Sequence, residues 1–168
     1  MSNRDELSKE IHQVQRVLWV GIGCKWGTSW ELIDWAIEKV FRENQLFLSA
    51  IAGIATIDTK ASEVGLIKLC RLRNLPLKTF SAEILSSVCV PNPATITDDK
   101  VGTPSVAEAA AMLAASQLTS MTVFPFTKIE QLRVKFLVPK QIFQRQGQPG
   151  AVTLAVAQAL NISITKVP

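Results

Sequence analysis

The chain has 168 residues, a length that fits a single domain. Hydrophobic residues make up 48% and charged residues 19%, so the chain has enough apolar material for a core and is not disordered throughout. Its formal net charge of +4 is spread along the chain, which suits a small anionic ligand better than a nucleic-acid backbone.

The cysteines, the single histidine and the lack of long apolar runs exclude further classes of protein. The three cysteines, Cys24, Cys70 and Cys89, form no CxxC pair, which argues against a disulfide framework and structural zinc. His12 lies in the polar N-terminal arm, so we expect no catalytic system built on a buried imidazole. The sequence shows no signal peptide and no apolar run near the roughly 20 residues that span a bilayer. We expect a cytoplasmic protein with no membrane or nucleic-acid partner, no metal and no cofactor.

The first predicted elements are an arm, a strand and a helix. Residues 1–15 are polar and predict either a short helix or a frayed arm. Residues 16–22 are apolar and β-branched, which favours a buried strand. Thr28 with Glu31 forms a capping box, so we expect a helix from there to about Asn44.

A similar alternation follows. Residues 49–57 predict a second apolar strand, and residues 61–73 a second helix. Residues 77–80 predict a short third strand, after which Ser81 caps a short helix that reaches about Val88.

The next segment combines a loop with an alanine-rich helix. Residues 89–100 contain prolines and aspartates and predict a loop. Ser105 and Glu108 form a second capping box, and the helix that it begins should end near Ser116.

The last part of the chain is more typical of strands. Residues 121–126, 132–138 and 162–167 are strand candidates, and residues 141–150 predict a mobile polar loop. Residues 151–160 fit a strand or a helix, since periodicity does not decide between them.

The alternation of strands and helices predicts an α/β fold. We expect a three-layer α/β/α sandwich with a mixed, mostly parallel central sheet. Residues 16–168 should form the one domain, preceded by the arm over residues 1–15.

In such a sheet the strand-to-helix loops meet at the carboxyl edge, where ligands usually bind. The loops at 23–29, 58–63 and 80–83 should lie there. In the first, the glycines allow close backbone approach, and a helix N-terminus beside a lysine favours carboxylate or phosphate. A plain strand-to-helix turn is an equal alternative, because the loop matches neither GxGxxG nor GxxxxGK[ST]. The ligand-binding candidates in this loop are Gly23, Cys24, Lys25, Trp26, Gly27, Thr28 and Ser29.

The other two loops add polar candidates. Asp58, Lys60 and Glu63 form a cluster that either lines a pocket, with a carboxylate placed to activate water, or serves as ordinary helix capping and first-turn charge. Ser81 follows the third strand, and Lys140 either reaches the same edge or is a surface lysine.

The aromatic and thiol side chains near the loop each allow two interpretations. Trp26 and Trp30 could form a wall for a flat macrocycle or simply pack, whereas Trp19 and Trp35 should be core residues. Cys24 is either a small buried hydrophobe or, beside a helix N-terminus and a lysine, a thiol with a lowered pKa.

Several motifs occur in collinear order: VGIGCKWGTS at 20–29, ATIDTKASEVGL at 55–66, LPLKTFSAEIL at 75–85, VPNP at 90–93, VGTPSVAEAAAMLAA at 101–115, and FLVPK with AVTLAVA at 136–140 and 151–157. On these motifs the chain resembles the CobE / CbiG carboxy-terminal domain family of cobalamin biosynthesis. It departs from the family in two longer segments, roughly 117–133 and 141–150, which leaves the rim of the site open to an extra strand or a lid.

The resemblance implies a role in making the corrin ring. Full-length members of the family are linked to opening a ring lactone on a cobalt-precorrin with release of acetaldehyde. We expect the free-standing form, which would bind or hand on an anionic tetrapyrrole, a precorrin or cobalt-precorrin, with other corrin-ring enzymes as partners. The alternatives are a lactone hydrolase, with Asp58 or Glu63 activating water and Lys25 or loop amides stabilising the oxyanion, and a nucleotide-binding regulatory domain.

Overall fold

The computed structural model describes residues 15–88, 105–116 and 134–160. They form a sheet flanked by helices. The strands are β1 (Leu18–Cys24), β2 (Ile51–Ile57), β3 (Leu77–Phe80), β4 (Val134–Arg145) and β5 (Gln148–Ala159). The helices are α1 (Trp30–Glu43), α2 (Val64–Arg73), α3 (Ala82–Ser86) and α4 (Val106–Ser116), with 3₁₀ turns at Leu48–Ala50 and Asp58–Lys60.

The described strands form a five-stranded sheet in the order β3-β2-β1-β5-β4. Strands β1, β2 and β3 pair in parallel, whereas β5 is antiparallel to both β1 and β4. Four of these strands therefore run in one direction, which confirms the predicted mixed, mostly parallel sheet. The chain builds the sheet outward from β1 on one side and places the β4–β5 hairpin on the other. The carboxyl end of β1 thus lies where the strand order reverses, the usual place for a ligand in an open α/β sheet.

Helices cover both faces of the sheet. On one face, α1 presents an apolar stripe at helical spacing, and α2 packs beside it. The fully buried residues of that stripe are Leu32, Ile33, Ala36, Ile37, Val40 and Phe41.

On the other face lies the alanine-rich helix α4, which packs almost directly on β1. A Cβ added to Gly21 would stand 1.8 Å from the carbonyl oxygen of Ala107, so only glycine fits there. Small side chains on both elements allow this approach and close the second core cluster.

The prediction of a mobile loop at 141–150 is wrong. Strand β4 continues to Arg145, and a two-residue turn at Gln146 and Gly147 leads into β5. Gly147 supplies the positive φ of 86° that this turn needs. The segment is polar because this end of the hairpin is largely exposed, although Phe143 packs into the core.

Two predicted helix starts also shift. The first helix begins at Trp30 with Ser29 as its N-cap, not with Thr28, and the second begins at Val64 because residues 58–60 form a 3₁₀ turn. The structure resolves the alternative left open at 151–160 in favour of a strand.

Other predictions lie outside the described residues: the N-terminal arm at 1–14 with His12, the loop at 89–100 with Cys89, the whole segment 117–133 with the strand at 121–126, and the strand at 162–167. Among the helices that the structure describes, none is long and apolar enough to cross a membrane.

Candidate functional site

The loop between β1 and α1, residues 23–29, is held by the β4–β5 hairpin. The backbone N–H of Lys25 donates to the carbonyl of Ala151 at 3.1 Å, and that of Ser29 donates to Pro149 at 3.1 Å. The Ser29 hydroxyl accepts from the N–H of Leu32 at 3.1 Å and so caps α1. The observed start of α1 is therefore fixed by β5, a strand far along the chain.

Thr28 is the centre of this attachment. Its side chain is buried, and its hydroxyl oxygen lies 2.6 Å from the carbonyl oxygen of Lys25 and 3.1 Å from that of Ala151. It also accepts from the N–H of Ala151 at 3.2 Å. A Cβ on Gly150 would lie 2.2 Å from the same hydroxyl, and the φ of +97° at Gly150 also favours glycine. The hydroxyl of Thr28 thus forms its hydrogen bonds with the backbone of the protein itself.

Glu63 joins the second loop to the first. It occupies the N-cap position of α2, yet its side chain makes no capping bond to its own helix. Instead Oε1 accepts from the backbone N–H of Gly27 at 3.2 Å. The residue is only 4% exposed, and among the described residues Oε2 is buried without a hydrogen-bond partner.

Lys60 and Trp26 form a second link between these loops. The ammonium of Lys60 lies over the indole of Trp26, 4.0 Å from the ring centroid, a cation–π geometry. Trp26 is 64% exposed, and Lys25 next to it is also exposed. This edge therefore presents an aromatic surface with cations on it. Trp30 is half-buried against the core, with Lys68 over its ring at 5.4 Å.

The thiol of Cys24 is not activated. Burial raises the pKa of Cys24 from 9.0 to about 11; Lys60 opposes this rise and Glu63 adds to it. The alternative of a lowered pKa is therefore wrong, because loss of water outweighs the lysine. The influence of Lys60 and Glu63 also shows that both charges lie near the carboxyl end of β1.

The N-terminus of α4 reaches the same end of β1, since a Cβ on Gly23 would lie 3.9 Å from that of Val106. The Ser105 hydroxyl accepts from the N–H of Glu108 at 3.3 Å, which confirms the predicted cap. Glu108 is fully buried, and its Oε2 accepts from the backbone N–H of Lys140 at 3.0 Å. From the sequence alone, Glu108 is predicted only as part of a capping box with Ser105. The available signal was a charged residue within an otherwise apolar run, VAEAAAMLAA.

The structure brings some candidates together and leaves others apart. Lys25, Trp26, Lys60 and Glu63 converge on the two loops beside β1, with exposed Asp58 at the start of the second loop. Ser81 caps α3 by accepting from the N–H of Ile84 at 3.2 Å. Ser81 directly follows β3, and Lys140 lies within β4; these strands are two positions from β1 on opposite sides of the sheet, roughly 9–10 Å away.

A cavity of about 250 Å³ lies at the opposite, amino edge of the sheet, away from these residues. It is lined by Arg16, Leu48, Ser49, Ile51, Arg73 and Leu75. The charge of Arg73 is already balanced by Asp34 at 2.5 Å and Glu38 at 3.2 Å. We therefore place the candidate site at the carboxyl edge, where Oε2 of Glu63 is buried without a hydrogen-bond partner among the described residues.

The fold is an α/β sandwich whose candidate site lies at the carboxyl end of the first strand. A family described as "Cobalamin synthesis G C-terminus" matches residues 18–157, and the chain belongs to this family. The sequence resemblance to the CobE / CbiG carboxy-terminal domains is thereby confirmed, and the chain is a protein of cobalamin biosynthesis.

Solved structures agree with this assignment. The chain is similar to CobE, a protein from the cobalamin biosynthetic pathway, with a TM-score of 0.63 and 26% identity over 86% of this chain and 91% of that one. It also shares its fold with cobalamin biosynthesis protein ChiG from Agrobacterium tumefaciens, with a TM-score of 0.54 and 23% identity over 85% of this chain and 98% of that one.

The curated relatives are longer. The cobalt-precorrin-5A hydrolase of Priestia megaterium is 32% identical over 98 residues, which are 58% of this chain and 26% of the relative. That of Salmonella typhimurium is 35% identical over 71 residues, 42% of this chain and 20% of the relative. The matched regions thus amount to about a quarter or less of these relatives.

Proposed function

We propose that the chain binds an anionic tetrapyrrole intermediate of cobalamin biosynthesis, a precorrin or cobalt-precorrin, at the carboxyl edge of its sheet, and holds it or hands it on. The observation that carries this proposal is the ammonium of Lys60, 4.0 Å from the ring centroid of the exposed Trp26. A ligand with carboxylates around a large, flat, mostly apolar ring matches a cation beside an exposed indole. Membership of the family supports the choice of ligand.

The proposal assigns different roles to the predicted ligand-binding residues. Lys25, Trp26 and Lys60 supply the contacts to the ligand, because their side chains are exposed or half-buried. Thr28 and Ser29 shape the loop, since their hydroxyls are used for internal bonds. Gly23, Cys24 and Gly27 contribute backbone. Ser81 borders the site on the other side of β2, whereas Lys140 lies level with residues 20–22 of β1, before the carboxyl edge, and is given no contact to the ligand.

The test is a titration with hydrogenobyrinic acid, followed by its absorbance and by tryptophan fluorescence. We expect Lys60→Ala and Lys25→Ala to weaken binding several-fold, and more at low than at high salt, because exposed ion pairs are screened. Lys39→Ala is the matched control: Lys39 lies on α1 and pairs with Glu43 at 3.1 Å. Absence of any spectral change or affinity in the unaltered protein would reject the proposal.

A second candidate function is hydrolysis of a precorrin ring lactone. The observation that favours hydrolysis over binding by cations alone is the buried carboxylate of Glu63, whose Oε2 has no partner among the described residues. Asp58 provides a second carboxylate in the same loop. Either carboxylate would take a proton from water as the water oxygen bonds to the lactone carbonyl carbon, and would return it to the ring oxygen as the C–O bond breaks, which leaves a carboxylic acid and an alcohol. Acetaldehyde would then leave as the alcohol loses its O–H proton and its C–O bond becomes C=O, while the C–C bond to the macrocycle breaks and the macrocycle keeps that electron pair and takes a proton. Lys25 would stabilise the oxyanion, because the N–H of Gly27 is already used by Glu63.

The two candidates differ in a product. The hydrolase proposal expects acetaldehyde from a lactone-bearing cobalt-precorrin incubated with this chain alone. Binding of the macrocycle without release of acetaldehyde would leave the binding function and reject the hydrolase.

A further inference from the structure

Glu63 leaves one carboxylate oxygen without a partner at the junction of the two site loops. A buried acceptor without a donor is costly, about 1–3 kcal/mol and more for a charged group, so natural proteins contain few of them. Oε1 is accounted for by the N–H of Gly27 at 3.2 Å, whereas Oε2 has no partner among the described residues. Gly27 itself is exposed, so the carboxylate lies just beneath the surface of the loop.

Joining the loops does not explain this arrangement. One oxygen suffices to accept the N–H of Gly27, and a glutamine would provide it. Glu63 also occupies an N-cap position, where a side chain usually bonds to its own helix, and it makes no such bond. What a carboxylate adds over an amide here is a second acceptor, held in place by the first.

We infer that Oε2 of Glu63 accepts a hydrogen bond from an N–H or O–H group of the ligand, within the binding site proposed above. The inference rests on that proposed function and specifies its ligand further. Lys25 and Lys60 can only donate, so they select carboxylates, whereas Glu63 can only accept, so it selects a donor. The ligand class is therefore a polycarboxylate macrocycle in which a hydroxyl, carboxamide or ring N–H stands beside the carboxylates.

Replacing Glu63 by glutamine should reverse the preference of the site between two ligand groups, and this can be tested. In Glu63→Gln the amide oxygen keeps the bond to the N–H of Gly27, and the NH₂ group takes the place of Oε2. The site then offers a donor where the natural protein offers an acceptor. Its preference between a carboxamide and a carboxylate at that point of the ligand should reverse.

The experiment measures dissociation constants for two probes, hydrogenobyrinic acid and the same macrocycle with its acetate side chains converted to carboxamides. The quantity of interest is the ratio of the two constants in each protein. We expect Glu63→Gln to shift this ratio toward the all-carboxylate probe by about tenfold or more, the effect of a charge-assisted hydrogen bond. Glu31→Gln is the matched control, since it makes the same change at an exposed side chain in the first turn of α1, at the same edge of the sheet. It should change the ratio by less than about twofold, as a screened surface charge does.

The outcomes separate the inference from the proposed function. An unchanged ratio in Glu63→Gln, with both probes bound by both proteins, overturns the inference and leaves the proposed function intact. An equal shift in Glu31→Gln also overturns it, because net charge would then account for the effect. If the unaltered protein binds neither probe, the proposed function fails and the inference fails with it.

Discussion

The buried carboxylate of Glu108 on α4 accepts the backbone N–H of Lys140 on β4 at 3.0 Å. The ladder between β4 and β5 shifts register between Val138 and Gln141, and Pro139 within the shift has no N–H to offer. Glu108 thus accepts a hydrogen bond from the N–H of Lys140, a donor that lies where the β4–β5 ladder is irregular. The bond ties the helix that covers β1 to the outermost strand of the hairpin and sets the backbone from which Lys140 projects.

We therefore expect Glu108→Ala to lower the free energy of unfolding by about 2 kcal/mol or more, since it leaves a buried N–H without an acceptor. Glu108→Gln keeps an oxygen for that N–H and should cost less than half as much. Urea unfolding of the two variants measures the difference. Equal losses in both would mean that the negative charge matters rather than the hydrogen bond to Lys140.

The contact between α4 and β1 predicts that alanine substitutions at two nearby glycines change the stability of the fold to very different extents. Gly21→Ala should destabilise the fold by about 1–3 kcal/mol or more, because its Cβ would stand 1.8 Å from a backbone oxygen of Ala107. Gly23→Ala is the control, since its Cβ would meet Val106 at an ordinary 3.9 Å. Thermal unfolding should show a large loss for the first variant and little change for the second. Similar melting temperatures for both would contradict the close packing of α4.

The raised pKa of Cys24 predicts a slow thiol. With a pKa of about 11 instead of 9.0, the thiolate fraction at pH 8 is about 100-fold lower than that of a free cysteine. Alkylation of Cys24, followed by peptide mass spectrometry to separate it from Cys70 and Cys89, should be correspondingly slow in the folded protein and fast in urea.

The same shift makes stability depend on pH in the alkaline range. The thiol ionises more readily in the unfolded chain, so its contribution to the free energy of unfolding is complete below about pH 9. It is lost as the pH rises through 11. Rapid alkylation of Cys24 in the native protein at pH 8 would contradict both expectations.

Short sequence patterns predict helices and strands correctly where a single turn or capping residue sets their ends. Ser81 and Ser105 cap their helices as predicted, and the third strand was placed at its observed residues 77–80. The first capping box failed by one residue. Thr28 has the right chemistry for an N-cap, but its hydroxyl bonds to Ala151, so Ser29 takes that role.

The sequence predicts that the first two loops meet at one edge, and they do, because parallel strands bring successive strand-to-helix loops together whatever the details. Its chemistry depends on bonds between residues far apart in the chain. The pairing of Glu63 with Gly27 spans 36 positions, and that of Glu108 with Lys140 spans 32. No local pattern specifies such pairs. The lowered pKa considered for Cys24 was wrong for a related reason, since the sequence shows the nearby charge but not the burial that outweighs it.

The attachment of Thr28 to Ala151 also determines when the first loop can take its described form during synthesis. The first two loops lie in the first 63 residues, yet the bonds that shape the first of them come from residues 149–151. A nascent chain on the ribosome would carry Lys25, Trp26, Lys60 and Glu63 long before the hairpin emerged to fix their positions. The first loop can therefore take its described form only after residues 149–151 have been made, well after residues 23–63.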